Sequence, residues 1–444
     1  MTESASRASP LRDLNIYPLR DTLDREFHAR PHENVQPPLR VIHLVMLSEP
    51  SQEEQTQEHV ARLCKHFGVA VPTLGDAAHF SARCSETLSL KWERHQEFST
   101  YTFFLSGAFS EPFSDAFETL LLTTSLGGIP GDLLVAVQIA FEPTTAPTRS
   151  LEQLHELFET AHLVGSEVSN GNARVFSDFL ASHNGFSRIL VRDHQLTGHQ
   201  PGRLVQRLLD IETYRAMAIL GFPRMRSLTQ ELSRMEQHLS DLTASMSQGA
   251  DHEHDKQILQ KLMRLAGETE HISAASAYRF SAGRAYHALV RHRLEELRET
   301  RIEGLPPIHE FLERRFAPAM RTIEAAHERL ERLSKRVARA ATLLRTTVDV
   351  ALAEQNSALL ASMDRRVKMQ LRLQEMVEGL SIVVIGYYLT GLLGYGYKAL
   401  AHLGVPMDVD IAIATTIPFV LLGIWLTVRW RRKKLMETHP GTPS

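Results

Sequence analysis

The runs GLSIVVIGYYLTGLLGYGYKALAHL, from Gly379 to Leu403, and IAIATTIPFVLLGIWLTV, from Ile411 to Val428, decide how this chain is organised. The first carries no charge before Lys398, and the second carries none at all. About 20 apolar helical residues cross the hydrocarbon core of a bilayer, so each run has the length of one span. A short linker with Val405, Pro406, Asp408 and Asp410 joins them. Arg365, Arg366, Lys368 and Arg372 precede the first run, and Arg429, Arg431, Arg432, Lys433 and Lys434 follow the second. Lysine and arginine are retained on the cytoplasmic side of a membrane, which predicts both flanks inside and the linker outside. The expected tail is thus a span over 379–403, an external loop over 404–410, a span over 411–428 and a basic cytoplasmic tail over 429–444.

Upstream, the chain has neither glycine nor proline from Ala319 to Glu378. One helix over that stretch would run on the order of 90 Å at 1.5 Å per residue. Ile323, Leu330, Leu333, Val337, Ala340, Leu344, Thr347 and Ala351 form a seam along it. A lone helix of that length lacks the buried face that stabilises helices in water, so it calls for neighbours from its own chain or from other copies. This is the sequence argument for a homo-oligomer. Polar residues become denser toward the membrane, among them Asn356, Asp364, Glu375 and Glu378. In a closed ring these four would form a collar that draws cations, a divalent ion included, toward a pore. The alternative is a solvated face whose acids pair with Arg365, Arg366, Lys368 and Arg372. Within the first span, Tyr387, Tyr388, Gly391, Tyr395, Gly396 and Lys398 are candidates either for a pore wall or for helix packing, where small residues permit close approach and aromatic rings mark the interface. Pro418 is expected to loosen the second span.

The residues before the stalk divide in two. Residues 1–10 are small and polar and are expected to be disordered. Residues 11–200 read as a cytoplasmic α/β domain. Helical spacing covers Tyr17 to Ala29, 51–68, Phe113 to Thr124 and Leu151 to His162. Strand patterns cover Leu39 to Leu47, Thr87 to Trp92, Glu97 to Ser106, Leu133 to Phe141, Gly165 to Val175, Ser177 to Ala181 and Ser187 to Val191. From Gly202 the pattern is helical alone: one helix ending near Gly221 and Pro223, then two seams, Leu228 to Leu242 and Ile258 to Ile272, separated by SQGADHEHDK. Two such arms predict a hairpin, closed by GLPP at Gly304 to Pro307 and continued by the stalk to residue 378.

Chemistry-bearing motifs are sparse. A net charge of -3 offers no general attraction to nucleic acid, and no phosphate-binding loop or nucleophile elbow occurs. Cys64 and Cys84 lack metal-ligand spacing and fit reduced, buried thiols. The opening MTESASRASPLRDL has no apolar signal core, so the soluble part is expected to stay inside the cell. Glu26, His28 and Arg30 could serve acid-base work, but residues two apart on a helix do not share a face, and a structural role is expected. Asp251, His252, Glu253, His254 and Asp255 are metal-ligating types in a polar break and are expected to form a solvated turn. An enzyme would need Glu26, His28 or Asp178 gathered in a pocket; no catalytic residue and no cofactor is expected.

The segments YPLRDTLDREFHARP, GRLVQRLLDIETYRAMA, YRFSAGRAY, LLRTTVDVALAEQNSALLASMDRR and QLRLQEMVEGLSIVVIGYYLTGLLGY resemble the bacterial domain-of-unknown-function family 3422, described as predicted membrane-anchored proteins. That resemblance covers nearly the whole chain and implies a membrane anchor, with no activity attached. The order of elements also resembles CorA-type magnesium channels, in which an α/β domain and a helical hairpin lead into a long pore-lining helix. The first span of those channels ends in Y-G-M-N, whereas here Tyr395, Gly396, Tyr397 and Lys398 stand. A lysine at a cation pore's mouth repels the permeant ion. The expected fold class is therefore an α+β membrane protein of CorA-like architecture. Its expected role is an oligomeric scaffold or interaction protein, with a cation channel as the alternative.

Overall fold

A computed structural model describes residues 15, 17–20, 32–71, 79–113, 128–246, 252–403 and 406–437. The helices expected over Tyr17 to Ala29 and after Phe113 lie almost wholly outside the described residues. The strands are β1 (Leu39–Leu47), β2 (His79–Arg83), β3 (Leu88–Arg94), β4 (Phe98–Ser106), β5 (Asp132–Glu142), β6 (Val164–Val168), β7 (Ala173–Ala181), β8 (Ser187–Asp193) and β9 (Thr300–Arg301). The helices are α1 (Glu53–His66), α2 (Leu151–Phe158), α3 (Gln200–Ile219), α4 (Phe222–Met246), α5 (His252–Leu297), α6 (Ile308–His402) and α7 (Val409–Glu437). This is a mixed α+β fold with an N-terminal sheet and a long C-terminal helix.

The strands form one sheet in the order β2-β3-β4-β1-β5-β8-β7-β6-β9. Every pairing is antiparallel except β5 with β8. Alternation along β1 sorts its side chains between the two faces. Ile42, Leu44 and Met46 pack with Leu90, Trp92, Tyr101 and Phe103 against Val60, Leu63 and Cys64 of α1. Further along the same face, Ala140, Phe176 and Leu190 pack against Leu154 and Phe158 of α2. A capping box starts α2: the Ser150 hydroxyl accepts from the Gln153 N–H while the Gln153 side chain accepts from the Ser150 N–H. The opposite face, carrying His43, Lys91 and Ser187, is covered by α3.

Three features differ from the sequence expectations, each for a tertiary reason. The stretch Gly165 to Val175 is not one strand, because Ser169 and Asn170 take left-handed φ values of 54° and 60° and turn the chain between β6 and β7. The sheet also recruits residues far downstream, since Thr300 and Arg301 pair with Glu167 and Ser166 at its edge. Finally, α6 begins at Ile308 and carries Pro318 inside it, rather than starting beyond that proline. Thr322 Oγ1 donates to the Pro318 carbonyl at 2.9 Å. An interior proline removes one helix hydrogen bond, a loss neighbours can tolerate where the flanking turns are packed. Here Phe316 and Met320 are buried on either side.

The chain divides into two compact units, residues 1–247 with 260–340, and residues 248–259 with 341–444. In the first, the seams of α4 and α5 (Leu228, Leu232, Leu239; Leu262, Leu265) are buried together with Ile323, Leu330, Leu333 and Val337 of α6. Arg329 clasps the Glu236 carboxylate with two nitrogens, at 3.3 and 2.6 Å. In the second unit Ile258 and Leu344 are buried, but the expected seam stops there: Thr347 is exposed and Ala351 only half-buried. His252, Glu253, His254 and Asp255 lie in the first turn of α5 rather than in a turn, and Asp251 lies outside the described residues.

Candidate functional site

Two helices of the chain are long and apolar enough to cross a membrane: α6, through its C-terminal part, and α7 over Val409–Thr427. Their apolar side chains are bare, with Leu380, Leu392, Leu403 and Phe419 all more than 60% exposed. The two form an antiparallel hairpin. A Cβ on Gly386 would lie 3.0 Å from Leu421 Cδ2, and one on Gly394 would lie 3.2 Å from Ile413 Cδ1. Glycine at both positions lets the Leu421 and Ile413 side chains of α7 come close, and a larger side chain would have to displace them. The Tyr397 hydroxyl and Thr416 Oγ1 share a hydrogen bond of 2.9 Å, satisfying two polar groups inside the apolar pair.

The six residues singled out in the first span fall elsewhere. Tyr387, Tyr388 and Tyr395 are 77%, 67% and 74% exposed, and nothing lies within 4 Å of a Cβ built on Gly391 or Gly396. At about 100° per residue, Tyr387, Tyr388, Gly391, Tyr395 and Lys398 fall within one arc of about 100°, whose Tyr387 edge adjoins Gly394, whereas Gly396 lies apart from them. Lys398 Nζ sits over the Tyr395 ring at 6.0 Å. That face continues down the stalk in steps of four and three. From His402 back it passes Lys398, Tyr395, Gly391, Tyr388, Val384 and Ser381, then Val377, Gln374, Gln370, Val367, Met363, Leu360 and Asn356, all exposed. Of the four stalk candidates only Asn356 lies on it. Asp364, Glu375 and Glu378 cluster to one side, and Asp364 accepts from Lys368 one turn on at 2.7 Å.

Among the described residues no cluster of histidine, cysteine or acidic side chains could hold a metal ion. Glu26, His28 and Arg30 lie outside the described residues. Asp178 lies in a bulge of β7, where the register against β8 shifts between Ser177 and Ala181. Burial raises its carboxyl pKa, and its Oδ1 accepts from the Leu180 N–H at 3.1 Å.

Sequence reasoning missed a buried polar chain under α3. Lys91 Nζ pairs with Glu93 at 3.2 Å and donates to Gln206 Oε1 at 3.1 Å. Gln206 donates to Asp210 at 2.7 Å, and Arg293 of α5 donates to Asp210 at 2.8 Å and to Glu296 at 2.7 Å. The chain thus ties β3, α3 and α5 together. Burial raises the Asp210 pKa in spite of the Gln206 and Arg293 donors. Beside it, His43 is wedged between Thr102 and Thr213 at 2.8 and 3.1 Å, and burial, with Lys91 and His95 adding to it, lowers its pKa to about 3. These groups hold elements together. Their only sequence signal is polar residues at inward positions, which does not reveal their partners.

The family described as "Protein of unknown function (DUF3422)" matches residues 15–435. No curated protein matches the chain. Among solved structures, the "structure of the full-length CmaX protein" aligns over 67% of this chain and 89% of that one, at 13% identity and a TM-score of 0.18. At that score the likeness carries no argument.

Proposed function

We propose, from the premise that the chain belongs to the DUF3422 family of proteins of unknown function, that it is a membrane-anchored homo-oligomeric scaffold in which copies of α6 pack around a common axis. The observation that supports it is the face from Asn356 to His402. It is exposed along its whole length and, in steps of four and three, brings Leu360, Met363, Val367, Val377, Val384, Tyr388 and Tyr395 into one line. A sustained heptad repeat is the pattern of helices that wrap about one another with a left-handed supercoil. In the stalk, Leu360, Met363, Val367 and Val377 lose exposed apolar area on association, at roughly 25 cal/mol per Å². In the span, Ser381, Gly391 and the tyrosines supply small and hydrogen-bonding groups that bring helices together in lipid. The cationic brackets support a topology with the sheet unit and the C-terminal tail in the cytoplasm and residues 404–410 outside, as in a bacterial inner-membrane protein.

Conduction of a cation along the same axis is the second reading, favoured by Gln370, Gln374 and Ser381 on that face. Lys398 on the same face weighs against it, because a ring of ammonium groups near the outer end repels cations. The acids of the stalk add no attraction along the axis, since they lie to one side.

Disulfide cross-linking tests the assembly. In a chain with Cys64→Ser and Cys84→Ser, Gln370→Cys and Tyr388→Cys should oxidise to covalent dimers in membranes, whereas Arg372→Cys, on the opposite side of α6, should not. Equal cross-linking at 370 and 372, or none at 370 and 388, removes the axis. Purified protein in liposomes should pass no Mg²⁺ under a gradient; saturable flux abolished by Tyr388→Trp would replace the scaffold with the transport reading.

A further inference from the structure

A cavity of about 230 Å³ opens between the β7 bulge, the end of α3 and the first turns of α6, entirely within the sheet unit. Its apolar wall is Phe179, Leu180, Ile219, Phe311 and Phe316, and Asp178, Arg215 and Arg315 are its charged groups. Phe179 takes φ 55°, a left-handed conformation that costs a bulky residue on the order of 1–3 kcal/mol. It is held there because its N–H donates to Ser177 Oγ at 3.0 Å, while that hydroxyl donates to the Arg188 carbonyl at 2.8 Å. The bulge turns the ring onto Phe311, with centroids 5.7 Å apart and planes at 25°. Each ring also carries a guanidinium, Arg215 over Phe179 at 5.8 Å and Arg315 over Phe311 at 3.9 Å. Arg215 is neutralised, donating to both oxygens of Glu212 at 3.2 and 2.9 Å. Arg315 has no carboxylate partner among the described residues.

We propose that this cavity binds a small aromatic monocarboxylate, its ring against the Phe179, Leu180 and Phe316 wall and its carboxylate forked by Arg315. Three features select that class. The volume falls below the usual range for drug-sized ligands and suits a single ring. A guanidinium seated over an aromatic ring, as Arg315 is over Phe311 at 3.9 Å, can still offer two N–H groups to a carboxylate. Nearby Asp178 disfavours a second negative charge, which selects against a phosphate dianion, and Arg315 disfavours a cation. The proposal does not depend on the membrane or oligomer reading.

The test is calorimetric titration of the full-length protein in lipid nanodiscs with benzoate, benzamide and phenyl phosphate. Benzoate should bind saturably with a Kd of about 1 mM or tighter, and benzamide and phenyl phosphate about tenfold more weakly or worse. Arg315→Ala, at an exposed position, should weaken benzoate about tenfold without moving the unfolding midpoint. Leu180→Trp should abolish binding by filling the mouth. Absence of saturable benzoate binding, equal binding by Arg315→Ala as expected of partition into lipid, or phenyl phosphate or benzamide binding as well as benzoate overturns the assignment.

Discussion

Replacing Arg293 with alanine should loosen the clamp between α5 and the sheet. Its Nε lies 2.8 Å from Asp210 Oδ2, and the Asp210 side chain is only 10% exposed, against 30% for Arg293. Removing one partner of a fully buried ion pair costs about 3–5 kcal/mol, because the other charge is left without compensation. Water reaching the Arg293 side softens this, so a loss of roughly 2–3 kcal/mol is expected. Glu296 adds little, since it is partly exposed and keeps Arg207 at 3.4 Å. For a unit of this size the loss corresponds to a midpoint about 3–4 °C lower. The pH dependence has a definite sign. A carboxyl whose folded pKa lies above its unfolded value loses stability as pH rises through the folded pKa. Asp210 is already raised, and without Arg293 it rises further. The deficit of Arg293→Ala should therefore be full at neutral pH and shrink as the solution is acidified toward the ordinary carboxylate range. Thermal unfolding read from Trp92, buried in the sheet, reports it once Trp425 and Trp430 are changed to phenylalanine. A midpoint within about 1 °C of the parent at neutral pH, or a deficit that stays constant on acidification, would refute the reasoning.

His43 should remain neutral in the folded protein down to about pH 3, so its contribution to stability is present above the usual histidine pKa and is lost as pH falls from there toward 3; an NMR titration showing its ring protonated near pH 6 would contradict this. Gly386→Leu should separate the apolar hairpin, read as loss of cross-linking between cysteines placed at 397 and 416, while Gly391→Ala should leave it intact because that side is open. Gly202→Ala should destabilise the sheet unit by at least 1–3 kcal/mol, since its Cβ would lie 1.9 Å from the Glu33 carbonyl oxygen; an unchanged unfolding midpoint would show that the crossing of residues 32–38 over α3 gives way.

The sequence by itself determined what depends on local periodicity and composition. Alternation located β1 at Leu39–Leu47, paired strand patterns located β3 and β4, and a continuous apolar run located β5, because each pattern lies within a few consecutive residues. Four-and-three spacing located the hairpin arms, and uncharged length located the two apolar helices. Tertiary structure decided what needs partners distant in the chain. Thr300 and Arg301 become a strand only because the β6 edge offers unpaired backbone groups. Pro318 is tolerated inside α6 because neighbouring turns are packed, and Thr347 is exposed because the hairpin arms end before it reaches them. Asp178 meets Arg215 and Phe311 around one cavity only because a bulge turns β7 toward α3 and α6. Periodicity records which way a residue faces; it carries no record of which residue faces it, and ion pairs, pockets and helix ends are made of that second relation.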